Sequence, residues 1–137
     1  MKYEISESQY KKIVLKYLNN IVKDIIFEDD EYDGDNWVDV FTSDGLDIGS
    51  VWFKTIQNRG MITEGCDIEL SLDEDFTQEF ENTIPIIMPE IFSQVVLEYF
   101  NSKTELECDC LEVPYRAGDG EDGSPIDQVY HYNINKH

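Results

Sequence analysis

Basic residues are scarce in this chain. Ten Lys plus Arg stand against thirty Asp plus Glu, a formal net charge of −20 over 137 residues. Between Lys23 and Lys54 lie ten acids and no base, and between Arg59 and Lys103 ten more. Such a field repels nucleic acid and anionic membrane and draws basic partners or cations. A small domain needs a net charge of only ~2–8 to stay in solution, so the excess calls for another use. Histidine is scarce too. His131 and His137 are the only two, which leaves few parts for a Ser/His/Asp or Cys/His relay. No apolar run approaches the ~20 residues of a membrane helix, and the opening "MKYEISESQYKK" has no apolar signal core. Cysteines 66, 108 and 110 are odd in number, and a Cys-x-Cys pair on one strand is poor disulfide geometry. They read as reduced, partly buried thiols of a cytoplasmic protein.

What is present is enough for a core. Apolar residues make up 41% of the chain, with eight Tyr, seven Phe and two Trp, which argues against a disordered acidic polymer. Ser6 followed by Gln9 forms a capping box. Beyond it Tyr10, Ile13, Val14, Tyr17, Leu18, Ile21 and Val22 recur at helical steps, predicting an amphipathic helix over about 6–23. Segments 37–41, 46–53 and 66–72 read as strands, the first two joined through Thr42-Ser43-Asp44-Gly45. Ser71 and Glu74 offer a second capping box for a short helix that Pro85 ends, and Pro89 opens another. Segments 105–113 and 128–134 close the chain as strands. The expectation is one acidic α+β domain over 1–137. It has an antiparallel sheet of about five strands, with the N-terminal helix and a central helix pair packed on one face.

The opening "YEISESQYKKIVLKYLNNIV", followed by "WVDVFTSDGLDIGSVWF", resembles small uncharacterised tailed-phage proteins over roughly the first fifty residues. The resemblance implies a phage context and carries no motif of known chemistry.

Three patterns invite a metal or nucleotide and fall short. Asp29, Glu31, Asp33 and Asp35 fit a calcium loop with Gly34 at the turn, but Val40 stands where the closing bidentate acid belongs. Gly118, Gly120 and Gly123 spell G-x-G-x-x-G, yet acids fill the intervening positions and no helix follows. Cys108, Cys110 and His131 are one ligand short of structural zinc, and on a strand both thiols would share the core face with Leu106. The expectation is therefore no cofactor, no metal and no catalysis.

The remaining signal is geometric. Alternate residues on a strand lie ~6.6–6.8 Å apart on one face. A row of Glu105, Glu107 and Asp109, a second of Asp67 and Glu69, and the stretch Glu28, Asp29, Asp30, Glu31, Asp33 and Asp35 could imitate a nucleic-acid backbone. Tyr32 and Trp37 would add aromatic anchors. The bland alternative for any one row is the wet face of a sheet, but an ordinary wet face mixes Lys with Glu. The sequence thus points to a non-catalytic acidic protein that blocks a basic, nucleic-acid-binding surface of a host or defence protein by charge mimicry. A small virion or assembly component is the alternative, and a divalent-cation-binding domain the next.

Overall fold

The computed structural model describes residues 6–32, 35–55, 62–117 and 126–136, with the side chains of 29–32, 35–36, 117, 126–127 and 136 outside the description. Helix α1 (Glu7–Ile21) opens with the anticipated capping box, Ser6 accepting from the Gln9 backbone while the Gln9 side chain accepts from the Ser6 N–H. Strands β1 (Ile25–Tyr32), β2 (Asp35–Thr42), β3 (Asp47–Phe53) and β4 (Ile68–Leu72) follow as an antiparallel meander. Helices α2 (Glu74–Glu81) and α3 (Pro89–Lys103) then cross over to β5 (Cys110–Ala117), which pairs with β6 (Ile126–Asn133). A 3-10 turn at Ile134–Lys136 ends the described chain.

Among the described residues the sheet has six strands in sequence order, and it is mixed rather than antiparallel throughout. β5 runs parallel to β4, because two helices separate them and a crossover returns the chain in its starting direction. The sixth strand is β1, which occupies much of the acidic stretch that lies before the first strand expected from sequence. Residues 28–32 and 35 belong to the β1/β2 hairpin, in register from Ile25↔Thr42 to Tyr32↔Asp35. Asp33 lies outside the described residues, as do Gly34 and the 118–123 glycine stretch.

All three helices pack on one face. Tyr10, Val14 and Leu18 of α1, Phe76 and Phe80 of α2, and Phe92, Val96 and Phe100 of α3 share one buried cluster with Val40, Val51, Leu70, Leu111 and Val113 of the sheet. Edge-to-face contacts of Phe80 with Tyr17 and Phe92 tie the three helices together. Two local devices set this up. Gly49 has φ +150°, and a Cβ there would land on the Ser71 carbonyl oxygen, so only glycine lets β3 and β4 approach beside the bulge at Val40/Phe41. Asp73 caps α2 by accepting from the Asp75 N–H at 2.9 Å. This replaces the anticipated Ser71 cap, since Ser71 is still paired inside β4.

Strand β5 begins later than its alternation suggests. Residues 105–109 precede it, and Asn101 of α3 holds Cys108 there by donating to its carbonyl at 2.9 Å and accepting its N–H at 3.0 Å. The side-chain amide takes the place of a neighbouring strand, and the chain turns before joining the sheet. Cys108 consequently packs among the helices, while Cys110 lies in a separate small cluster with Ile62 and Cys66. Cys110 is bridged to Cys66, so the expectation of three thiols is corrected to one disulfide and one buried thiol. Burial pushes the Cys108 thiol up to about 12.

Candidate functional site

Side chains alternate along each strand, so the register fixes what the helix-free face carries. One row reads Glu28, Asp39, Ser50, Ser71, Glu112 and His131 across all six strands. The neighbouring row reads Trp37, Trp52, Glu69, Cys110 and Asn133 across β2 to β6. Trp37 and Trp52 stack with centroids 5.2 Å apart and planes 7° from parallel, both half-buried. Glu28 and Asp39 face each other directly beside them, and Ser50 donates to Asp39 at 3.5 Å.

At the other end of this face the segment 62–66 folds over β4 and β5. Its turn closes with the Cys66 N–H donating to the Thr63 carbonyl at 3.1 Å, helped by Gly65 at φ +89°. The Cys66–Cys110 bridge anchors it, and Asn133 donates toward the Cys66 sulfur at 3.7 Å. Beneath it lies Glu69, only 1% exposed. The Thr63 hydroxyl donates to Glu69 Oε1 and lies 3.4 Å from His131 Nδ1. Glu112 and His131 are register partners across β5 and β6, and Ser71 pairs with Glu112, so Glu69 sits two positions along on the same face. One ligand atom from each of Glu69, Glu112 and His131 lies within 4.8 Å of the others. Burial raises the Glu69 carboxyl above the usual carboxylate range, partly offset by the Thr63 hydroxyl, while the Glu112 charge raises it further.

The structure redistributes the anticipated acidic residues. Glu105 and Glu107 are exposed, but they precede β5 and form no strand row with Asp109. Asp109 is turned inward on backbone duty. Its carboxylate accepts the Ile68 N–H at 2.9 Å and the Asp67 N–H at 3.1 Å, fixing the start of β4. Asp67 is exposed and reaches Lys54 at 4.0 Å, and Glu69 is buried instead of wet. Their expected row is therefore absent. Glu28 and Trp37 do share the helix-free face. Asp29, Asp30, Glu31, Tyr32 and Asp35 lie on β1 and β2 by backbone, with side chains outside the description. The zinc trio of Cys108, Cys110 and His131 dissolves, since one sulfur is on the helix side and the other is bridged.

The Glu69–Glu112–His131 cluster escaped sequence reasoning. Its one local signal was the i, i+2 spacing that set Glu69 beside Ser71; the rest depends on the parallel β4/β5 register. No described helix is long and apolar enough to cross a membrane. No family model matches the chain, and neither does any curated protein or solved structure.

Proposed function

We propose that this is a non-catalytic acidic binding protein that presents the helix-free face of β1–β3 to a basic protein surface, of the kind that ordinarily holds nucleic acid. The observation that carries this reading is the Glu28↔Asp39 pair beside the stacked Trp37 and Trp52. Like charges directly opposite each other on a sheet repel, and a cation brought by a partner would relieve that repulsion. An aromatic pair flanked by acids is suited to lysine and arginine, which combine a charge with a long apolar stem and stack on indole faces. The Trp pair also steadies the sheet, by about 0.5–1.5 kcal/mol, and that role is compatible with binding. The opening residues resemble those of tailed-phage proteins, which favours a host or defence protein as the target.

The test is capture from a bacterial lysate at low ionic strength, followed by elution with salt or with competing duplex DNA. Nucleic-acid-binding proteins should be released by both eluents. The double reversal Glu28→Lys, Asp39→Lys should weaken binding of whichever protein is captured by about tenfold or more. Retention that neither salt, nor DNA, nor the charge reversal disturbs would sink the reading and favour packing contacts of an assembly component.

A further inference from the structure

We propose that Glu69, Glu112 and His131 bind one divalent transition-metal ion, with zinc the best match, and that Thr63 orients two of the three ligands. The site stands apart from β1 and β2, so it can fail or hold independently of the acidic-surface reading.

The donor set is the first argument. Two carboxylates and one imidazole suit zinc, and the imidazole disfavours calcium and magnesium, which prefer all-oxygen shells. Three protein ligands leave a position for water, the arrangement of an open zinc site rather than a closed structural one. Burial supplies the second argument, and it separates this cluster from the exposed acids elsewhere. Glu69 is 1% exposed, and among the described residues the charged groups acting on it are Glu112 and His131. Two carboxylates brought this close, with one of them out of water, call for a compensating cation. The described partners of Glu69 offer only a hydroxyl, a backbone N–H and an imidazole.

Geometry is the third argument. Atoms bound about 2.0–2.2 Å from one tetrahedral ion lie about 3.3–3.6 Å from one another. The three ligand atoms already lie within 4.8 Å. Closing the difference takes up to about an ångström of side-chain movement, and Glu112 is half-buried and His131 exposed, so both have room to adjust. Thr63 fills the role that outer partners of metal ligands commonly fill, with its hydroxyl on Glu69 Oε1 and near His131 Nδ1. If His131 binds through Nε2, Nδ1 keeps its contact with Thr63. The segment that delivers Thr63 is held in place by the Cys66–Cys110 bridge.

The experiment is calorimetric titration of the intact, oxidised protein with Zn²⁺ in excess Ca²⁺, which occupies the exposed acids. Co²⁺ serves as an optical probe in parallel. One Zn²⁺ per chain is expected, and Co²⁺ should give the visible bands of a low-symmetry site. Single changes His131→Ala and Glu112→Gln should each weaken Zn²⁺ by more than about tenfold, and Thr63→Val by about tenfold. Both ligand changes are at or near the surface, and an unchanged circular dichroism melt of the metal-free variants confirms that the fold survives. Two results would overturn the proposal: no saturable Zn²⁺ binding in excess Ca²⁺, or an affinity that His131→Ala and Glu112→Gln leave unchanged.

Discussion

Tyr10 shows how one side chain couples distant parts of this fold. It is 1% exposed, on the first turns of α1, and its hydroxyl donates to the Pro85 carbonyl at 3.0 Å in the link between α2 and α3. Burial pushes its phenol up to about 12 from 10.0, the Glu81 charge adding a smaller push while neighbouring backbone groups pull it down. The folded state therefore holds this proton more tightly than the unfolded chain. That contribution is complete below pH 10 and is lost as pH rises from about 10 to 12. Two pKa units correspond to about 2–3 kcal/mol. Tyr10→Phe lacks the titration but forfeits a hydrogen bond worth about 1 kcal/mol. The wild type should be the more stable of the two at neutral pH and lose that lead above pH 10. Urea melts of both proteins across this range, compared at each pH, cancel the other titrating groups. A constant gap would show that Tyr10 is not sealed from water.

At the scale of elements, the segment 62–66 depends on one covalent tie. The Cys66–Cys110 bridge spans 44 residues and includes both α2 and α3 in its loop. A cross-link of that span contributes about 2–4 kcal/mol, chiefly by restricting the unfolded chain. Cys66→Ser should cost about that much in a urea melt under non-reducing conditions. The oxidised native protein should expose no reactive thiol, since Cys108 is buried and its thiol is raised to about 12. Denaturant should release one thiol per chain. Three released thiols would mean the bridge is not formed.

In this same region the local signals of the sequence give out. Helix α1 was legible because its signals are local, a capping box and an apolar stripe. The hairpin β2–β3 was legible through Gly45, whose φ of +92° suits the turn. From sequence Glu69 looks wet, because Cys66, Ile68, Leu70 and Leu72 alternate against it and alternation normally marks one dry face. Here both faces are covered, one by helices and one by the segment carrying Thr63. Likewise 105–109 alternates perfectly but is diverted by Asn101, a residue from another element. Nothing within a short window encodes the parallel pairing of β4 with β5, and the candidate metal ligands meet only through that pairing.

For the whole molecule, the charge of −20 acts on folding and on binding with opposite signs. Folding gathers like charges that the unfolded chain keeps apart, so self-repulsion lowers stability. The bases are segregated along the chain: Lys11, Lys12, Lys16 and Lys23 lie on or just after α1, whereas residues 28–35 carry six acids and no base. Adding salt shortens the screening length from about 30 Å at 0.01 M to about 8 Å at 0.15 M. The melting temperature should therefore rise by several degrees over that range, and NaCl and KCl should act alike, because screening depends on ionic strength and not on ion identity. Over the same range the proposed complex with a basic partner should weaken steeply, since screening removes the attraction that forms it. A structural component packed through apolar contacts would show the first trend without the second. Measuring melting temperature and partner affinity on one set of salt solutions thus separates acidity that serves recognition from acidity the fold merely tolerates.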